Sequence, residues 1–550
     1  MKPQRLVPPQ RWRLLVAAAV ALGGVLAAPV AGGAAAVTPT DNHVTRVIVE
    51  TEPGSLTAVG KTAVALGGQV VAAQRAIGTV VVDLPASAVV RLRGADGVRA
   101  VTPDGRVKLE SDSLLTDVTN TVTSLIGPTG LPGDMTNVSK LTGAQTFWKN
   151  GYYGQGVDVA LLDSGVLPVN GLLSTNKLVM GPDLSFESQL PNLRYMDTFG
   201  HGTHMAGIIG GRDSGATSST FTTDNTHFLG MAPSSRIVSI KLADAHGSTD
   251  VSQVIAAIDW VVAHGQDAGL NIRVMNLSFG TDSSQDYRLD PLAHAAEVAW
   301  NRGVVVVVSA GNGDGTRVGL ANPAYDAAVL AVGAQDTKGT LDRVDDSVPV
   351  FSQRGATALG MRAPDLVAPG VSIASLRAPG TFVDATYGST GVVANRFFKG
   401  SGTSQAAAVV SGGAALLLSQ RPYLTPDQVK DLLRRSAKPL ASASTDAQGA
   451  GALDLNAAYW YTGRTMPAPA VNAGGGSLDK ARGRFKVKLN GVALTGELDI
   501  LGNPVSTPDL AQTETTSAPD VLDGATWADG SWAGSPLTGA TWNGATWAGA

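Results

Sequence analysis

The sequence predicts an α/β chain built on a parallel sheet with helices on both faces, preceded by a smaller α+β unit. Three observations carry that prediction. Between residues 141 and 464, short continuous apolar runs alternate with helical stretches, and such runs suit strands buried on both faces of a parallel sheet. Ahead of them, residues 45–108 fit a β-α-β-β-α-β order. The length of 550 residues exceeds what one ordinary core supports, so several domains are expected.

Taken in order, residues 1–36 read as an export signal. Lys2, Arg5, Arg11 and Arg13 supply a positive end, residues 14–26 an apolar run, and small residues around Ala28 to Ala36 a cleavage region. The apolar run falls short of the roughly 20 residues that a spanning helix needs, so no membrane span is expected in the mature form. Residues 37–108 hold the α+β unit. Strand-like VTRVIVE (44–50) precedes a helical 56–66; QVVAAQ (69–74), GTVVVDL (78–84), a short helix at 86–92 and a last strand at 98–101 follow. This order is the ferredoxin-like plan. Residues 109–140, rich in Ser, Thr, Asn, Gly and Pro, read as a linker.

Within 141–464, VDVALL (157–162), IVSIKL (237–242), IRVMNL (272–277) and VVVVV (304–308) are the predicted buried strands, with helices at 251–264 and 292–301 between them. Residues 465–550 form a Gly-, Ala- and Trp-rich extension. It ends in pentads whose phase is marked by Trp527, Trp532, Leu537, Trp542 and Trp547. These resemble pentapeptide repeats, and a binding module and a removable tail are both compatible with them. Deleting 465–550 is expected to spare hydrolysis of small peptides.

Composition narrows the function. Lys and Arg number 41 against 45 Asp and Glu, a balance that advertises no nucleic-acid or anionic-membrane partner. Cysteine is absent, which excludes disulfides, thiolate metal sites and a cysteine nucleophile.

Four residues then carry the chemistry. Asp163 directly follows the strand VDVALL, at a carboxyl end where catalytic groups collect in parallel sheets. His201 sits between glycines in FGHGTHMAG, and His204 lacks the HExxH context of a metal pair, so it reads as structural. Asn312 follows VVVVVSAG, again at a strand's carboxyl end. Ser404 lies where KGSGTS opens a long Ala/Val/Leu helix, whose N-terminal N–H groups favour negative charge. Taken singly, each has a structural reading: a turn aspartate, a buried histidine, an Asn-Gly turn, an N-cap serine.

Together, LLDSGV, HGTHMAG, LGMAP (229–233), MNLSFG (275–280), VSAGN, LVAPG (366–370) and SGTSQAAA resemble the subtilisin-like proteases, the subtilases of peptidase family S8. The chain order Asp, His, Ser is the one known for subtilisin. The resemblance implies a secreted, extracellular serine endopeptidase with Ser404 as nucleophile, His201 as general base and acid, and Asp163 as the group holding the imidazole. Asn312 would stabilise the oxyanion. Substrate would lie as an extended strand between Gly247, Ser248 and Thr249 on one side and Leu277, Ser278, Phe279 and Gly280 on the other. The first specificity pocket would be walled by Ser278–Gly280 and by Ser309, Ala310 and Gly311. Residues 37–108 resemble the family's inhibitor-I9-type propeptide, so an autoprocessed zymogen with its own propeptide as intramolecular inhibitor is implied. Protein or peptide substrates are the implied partners. No cofactor for catalysis is implied; whether a structural calcium binds is not readable, although the acidic stretch 213–224 could hold one.

Three positions depart from the family pattern. Gln405 and Ala408 stand where Met and Pro are usual, and Ser164 where Thr is commoner. The alternative is a catalytically inactive subtilase-fold binding protein, against which all four positions hold competent residue types. A lipase or esterase fits less well, since Ser404 has no G-x-S-x-G elbow.

Overall fold

The computed structural model describes residues 44–103, 134–461 and 473–509, apart from residues 53, 75–78, 175, 314, 316–317, 485, 490–491 and 501. The expected export signal, most of the linker and the Trp pentads lie outside the described residues.

The N-terminal unit runs β1 (Val44–Thr51), α1 (Leu56–Ala65), β2 (Gln69–Gln74), β3 (Thr79–Pro85), α2 (Ala86–Arg93) and β4 (Val98–Pro103). Its four strands form one sheet in the order β2-β3-β1-β4, every pair antiparallel. Alternation decides which face is inside: Val47, Val49, Val80, Val82 and Leu84 pack with Val59 and Leu92 from the two helices.

The α/β unit begins with α3 (Met135–Thr142) and α4 (Ala144–Lys149). Seven strands follow: β5 (Asp158–Asp163), β6 (Leu178–Asp183), β7 (Arg236–Lys241), β8 (Ile272–Leu277), β9 (Val305–Ser309), β10 (Leu330–Gln335) and β11 (Leu366–Pro369). They form a wholly parallel sheet in the order β11-β10-β9-β8-β5-β7-β6. All residues of β5, β9 and β10 are buried, as strands covered on both faces must be.

Two helix layers cover the sheet. α5 (His201–Gly210) and α9 (Thr403–Gln420) pack together as one layer, and α6 (Val251–His264) and α7 (Pro291–Asn301) as the other. Between β11 and α9 run β12 (Ile373–Leu376), α8 (Phe382–Gly391), β13 (Val392–Val393) and β14 (Phe397–Gly400). α10 (Pro426–Ser436) follows α9 and is opened by a capping box between Thr425 and Gln428.

Chain order reverses at β5: the strands that follow it go first to one side, as β7 and β6, and then to the other, as β8 to β11. Such a switch point leaves a crevice beyond the carboxyl ends of the strands. Asp163 ends β5 at that point, and residues 247–249 and 277–280 follow its two neighbours, β7 and β8.

Residues 473–509, within the segment expected as an extension, pack on this unit. Leu478, Ala481, Val487, Leu494 and Ile500 belong to the same apolar core as the sheet.

Candidate active site

Asp163 is fully buried, and its Oδ1 accepts the Ser164 backbone N–H at 2.8 Å. His201 Nδ1 lies 2.8 and 2.9 Å from the two Asp163 oxygens. A carboxylate at this distance fixes the proton on Nδ1 and makes Nε2 the basic nitrogen of the ring. Both side chains are about 1% exposed, so the pair works out of water, where charge interactions are strongest.

The approach of α5 to β5 depends on glycine. A Cβ on Gly202 would lie 2.1 Å from the Gly165 carbonyl oxygen and 3.1 Å from Asp163 Oδ1. Only the bare backbone lets the turn after Asp163 pass the helix that carries His201.

Sequence reasoning missed a second carboxylate. Asp197 is buried; its Oδ1 accepts from Ser164 Oγ at 2.8 Å and Gly200 N at 2.6 Å, its Oδ2 from Thr203 N at 2.8 Å and Thr203 Oγ1 at 2.6 Å. Burial pushes its pKa up, and these hydrogen bonds oppose the rise. Asp197 thereby ties the turn after β5 to the first turn of α5. No motif signals it, since one aspartate four residues before a histidine is unremarkable in a loop. Ser164, noted only as a departure, is the hinge of this network: its hydroxyl also accepts from Gly202 N at 3.0 Å.

His204, one turn beyond His201, is structural as expected. Its Nε2 lies 3.0 Å from the Phe398 carbonyl and 3.2 Å from that of Ile373. Burial chiefly, reinforced by the nearby His201, pushes its pKa down to about 3. It is therefore a neutral donor that joins α5 to strands β12 and β14, and β14 leads into α9.

Ser404 is the second residue of α9 and is fully buried; its Oγ has no hydrogen-bond partner among the described residues. At that position its N–H cannot be used by the helix itself. Asn312 stands beside it: Thr403 donates to Asn312 Oδ1 from its backbone N–H at 2.9 Å and from its hydroxyl at 3.1 Å. With the carbonyl end of the amide held, the NH2 end is the donor end of this side chain. Gln405, where methionine is usual, is fully buried, and neither end of its amide has a partner among the described residues.

The expected substrate-binding residues fall in three loops at the same end of the sheet. Gly247, Ser248 and Thr249 follow β7 and are pinned by Asp244, which accepts from Ser248 N and His246 N, each at 2.9 Å. Burial chiefly, with repulsion from Glu187, raises the Asp244 pKa to about 6. Leu277 ends β8; Ser278 Oγ reaches the Ser404 carbonyl at 3.5 Å, and Phe279 is fully buried in the core, so its contribution to a ligand is backbone. Ser309 ends β9, and Ala310 and Gly311 follow it. Gly311 N bonds Thr403 Oγ1 at 3.3 Å, linking this wall to the serine's helix. An aromatic ladder borders the site, with ring centroids of Phe199 and His201 at 6.5 Å, Phe199 and Phe382 at 5.9 Å, and Phe382 and His246 at 5.7 Å.

Asp213 and Asp224, in the acidic stretch considered for calcium, have protein partners. Asp213 accepts from Phe228 N at 2.9 Å and pairs with Arg396; Asp224 accepts from the backbones of Thr226 and His227, each at 3.0 Å. Among the described residues, no helix is long and apolar enough to cross a membrane.

Carboxylate, imidazole, helix-terminal serine and amide are the residue types that acyl transfer uses. Serine protease AprX of Bacillus subtilis (strain 168) is 36% identical over 304 residues, which are 55% of this chain and 65% of that protein. Subtilisin DY of Bacillus licheniformis is 30% identical over 310 residues, 56% of this chain and 92% of that one. This chain thus spans a little under two thirds of AprX and nearly all of subtilisin DY. The crystal structure of a cold adapted subtilisin-like serine proteinase aligns with 28% identity and a TM-score of 0.41, covering 55% of this chain and 90% of that one. Residues 154–453 match the model of the subtilase family, peptidase S8. The chain belongs to the subtilase family.

Proposed function

We propose that this chain is a secreted serine endopeptidase, made as a precursor, that cleaves peptide bonds of proteins through Asp163, His201 and Ser404. The observation that carries the reading is the buried Asp163–His201 pair at 2.8 Å, whose histidine opens the helix that packs against α9. Ser404 Oγ attacks the scissile carbonyl while His201 Nε2 takes its proton, and the imidazolium formed is stabilised by Asp163. The oxyanion is met by the Ser404 N–H and the Asn312 amide. The protonated imidazole then delivers its proton to the leaving amine. Water, activated by the same nitrogen, hydrolyses the acyl-enzyme.

Substrate lies extended between residues 247–249 and 277–280, with its first side chain against 278–280 and 309–311. The N-terminal unit, with its antiparallel four-stranded sheet, serves as the propeptide that restrains the cleft until removed. Residues 1–36 direct export. The chemistry needs no cofactor.

The test compares wild type with Ser404→Ala, following precursor size on a gel together with casein hydrolysis. Wild type is expected to shed its N-terminal unit and digest casein, while the variant stays full length and inert. A variant that still digests casein would remove Ser404 from the mechanism. A folded, processed and inert wild type would make the chain a binding protein on a subtilase fold.

A further inference from the structure

Residues 473–509 lie beyond the stretch 154–453 that matches the subtilase model, yet they are anchored beside the cleft. Arg482, in the short helix Leu478–Arg482, is fully buried. Its guanidinium forks onto Asp250, Nε donating to Oδ1 at 2.8 Å and Nη2 to Oδ2 at 3.2 Å. Nη1 donates to the Gly496 carbonyl at 2.7 Å, and Nη2 also meets that of Leu498. Asp250 directly follows Gly247–Thr249 and caps α6, accepting Ser252 N at 3.0 Å.

The second edge is held in the same way. Thr281 directly follows Leu277–Gly280, and its hydroxyl donates to the Ala481 carbonyl at 2.5 Å. Nearby, Gln285 Nε2 donates to the Ser477 carbonyl at 2.9 Å and Gln285 Oε1 accepts Ser477 N at 3.1 Å; Gly476 N meets the Leu289 carbonyl at 2.7 Å. Ala481 and Arg482, adjacent in sequence, thus grip the residue that follows each edge.

We propose that residues 473–509 are a brace that sets the separation of the two substrate-binding edges, with Arg482 as its positioning residue. The proposal rests on the assignment of 247–249 and 277–280 as those edges. An extended peptide bound by main-chain hydrogen bonds on both sides responds directly to their spacing, and a shift of about 1 Å is enough to cost on the order of 100-fold. A buried carboxylate deprived of its cation is unstable where it stands, so Asp250 holds the brace as firmly as the brace holds Asp250. Residues 473–509 therefore differ in role from 510–550, and removing all of 465–550 should not leave peptide hydrolysis intact.

The test uses full-length Arg482→Gln, Arg482→Lys and Thr281→Val; the last is nearly isosteric and leaves Asp250 paired. Kinetics are measured on a peptide with four residues before the scissile bond and on N-acetyl-tyrosine ethyl ester, which reaches neither edge fully. The expected result is a KM for the peptide raised on the order of 10-fold in Arg482→Gln and Thr281→Val, partly restored in Arg482→Lys, with ester turnover altered by less than about twofold. Hydrogen exchange in a Ser404→Ala background gives a readout independent of activity. Amides of Ser248, Thr249 and Phe279–Thr281 should exchange on the order of 10-fold faster in Arg482→Gln, and those of Phe279–Thr281 in Thr281→Val, while those of β10 hold. Equal losses on both substrates, uniformly faster exchange, or no change in either measurement would overturn the brace. If wild type cleaves neither substrate, the endopeptidase reading fails, and the exchange data still decide the brace. If Arg482→Gln does not fold, Thr281→Val decides.

Discussion

The buried neutral histidine beside the candidate site makes stability depend on pH in a calculable way. His204 donates to two carbonyls and has its pKa held down to about 3, chiefly by burial. In the unfolded chain it titrates near its ordinary value of about 6.5. Because the folded value is the lower one, the stabilisation is complete above pH 6.5 and is lost as pH falls from 6.5 toward 3. At pH 5 the unfolded chain has gained ~2 kcal/mol from protonating this one ring, at about 1.36 kcal/mol per pH step. In a domain of roughly 300 residues, at about 2.1 cal/mol/K per residue, that corresponds to about 3 °C in the unfolding midpoint. The comparison is His204→Gln, whose amide N–H can reach the same carbonyls and does not titrate. Urea unfolding is followed at pH 7.5, 6 and 5 in a Ser404→Ala background, which prevents self-digestion; carboxylates elsewhere cancel in the difference. The histidine form should lose about 2 kcal/mol relative to the glutamine form between pH 7.5 and 5, with equal denaturant slopes. Parallel curves for the two proteins would refute the assignment of His204 as the acid-sensitive tie between α5 and the β12–β14 pair.

Other expectations concern the chemistry, the rim and the backbone. Asn312→Leu should lower kcat with KM little changed; the roughly 10²–10³-fold range is the one established for the oxyanion asparagine of subtilisin itself, not one worked from this geometry. Asp244 has its pKa raised to about 6, so its ionised form is a cost above pH 6 that is relieved as pH falls from 6 toward 3.8. Asp244→Asn, which keeps an acceptor for Ser248 N, should therefore raise the melting midpoint at pH 8 and leave it nearly unchanged near pH 4. Gly202→Ala should cost about 1–3 kcal/mol or more of stability together with activity, because the new Cβ falls on the Gly165 carbonyl; a thermal melt and a kcat measurement check it.

Much of the fold was legible because the signals are local. VDVALL and VVVVV are apolar throughout, as strands covered on both faces must be, and they appear as β5 and β9 within a residue of their expected ends. The helix 251–264 was readable from its apolar spacing and sits between a capping box and a glycine. β6 was not readable: at the sheet edge LVMGPD is only part-buried and contains Gly and Pro, so neither a run nor an alternation marks it. At the site, the expected triad aspartate and histidine meet directly, since glycine-flanked motifs at strand ends carry positional meaning. Asp197 was illegible because its role comes from four donors on three residues, of which Ser164 is brought to it only by folding. Arg482 was illegible for a related reason: in DKARGR it looks like one of a run of solvated charges, and its burial depends on a carboxylate 232 residues earlier.

That separation also sets an order in time. At about 5–20 residues per second, a ribosome delivers Arg482 some 10–50 s after Asp250. Asp163 and His201 precede that interval and Ser404 is made about two thirds of the way through it, while Asp250 is still without its cation. If the brace sets the spacing of the two edges, that spacing is fixed only once the segment that follows Ser404 has emerged.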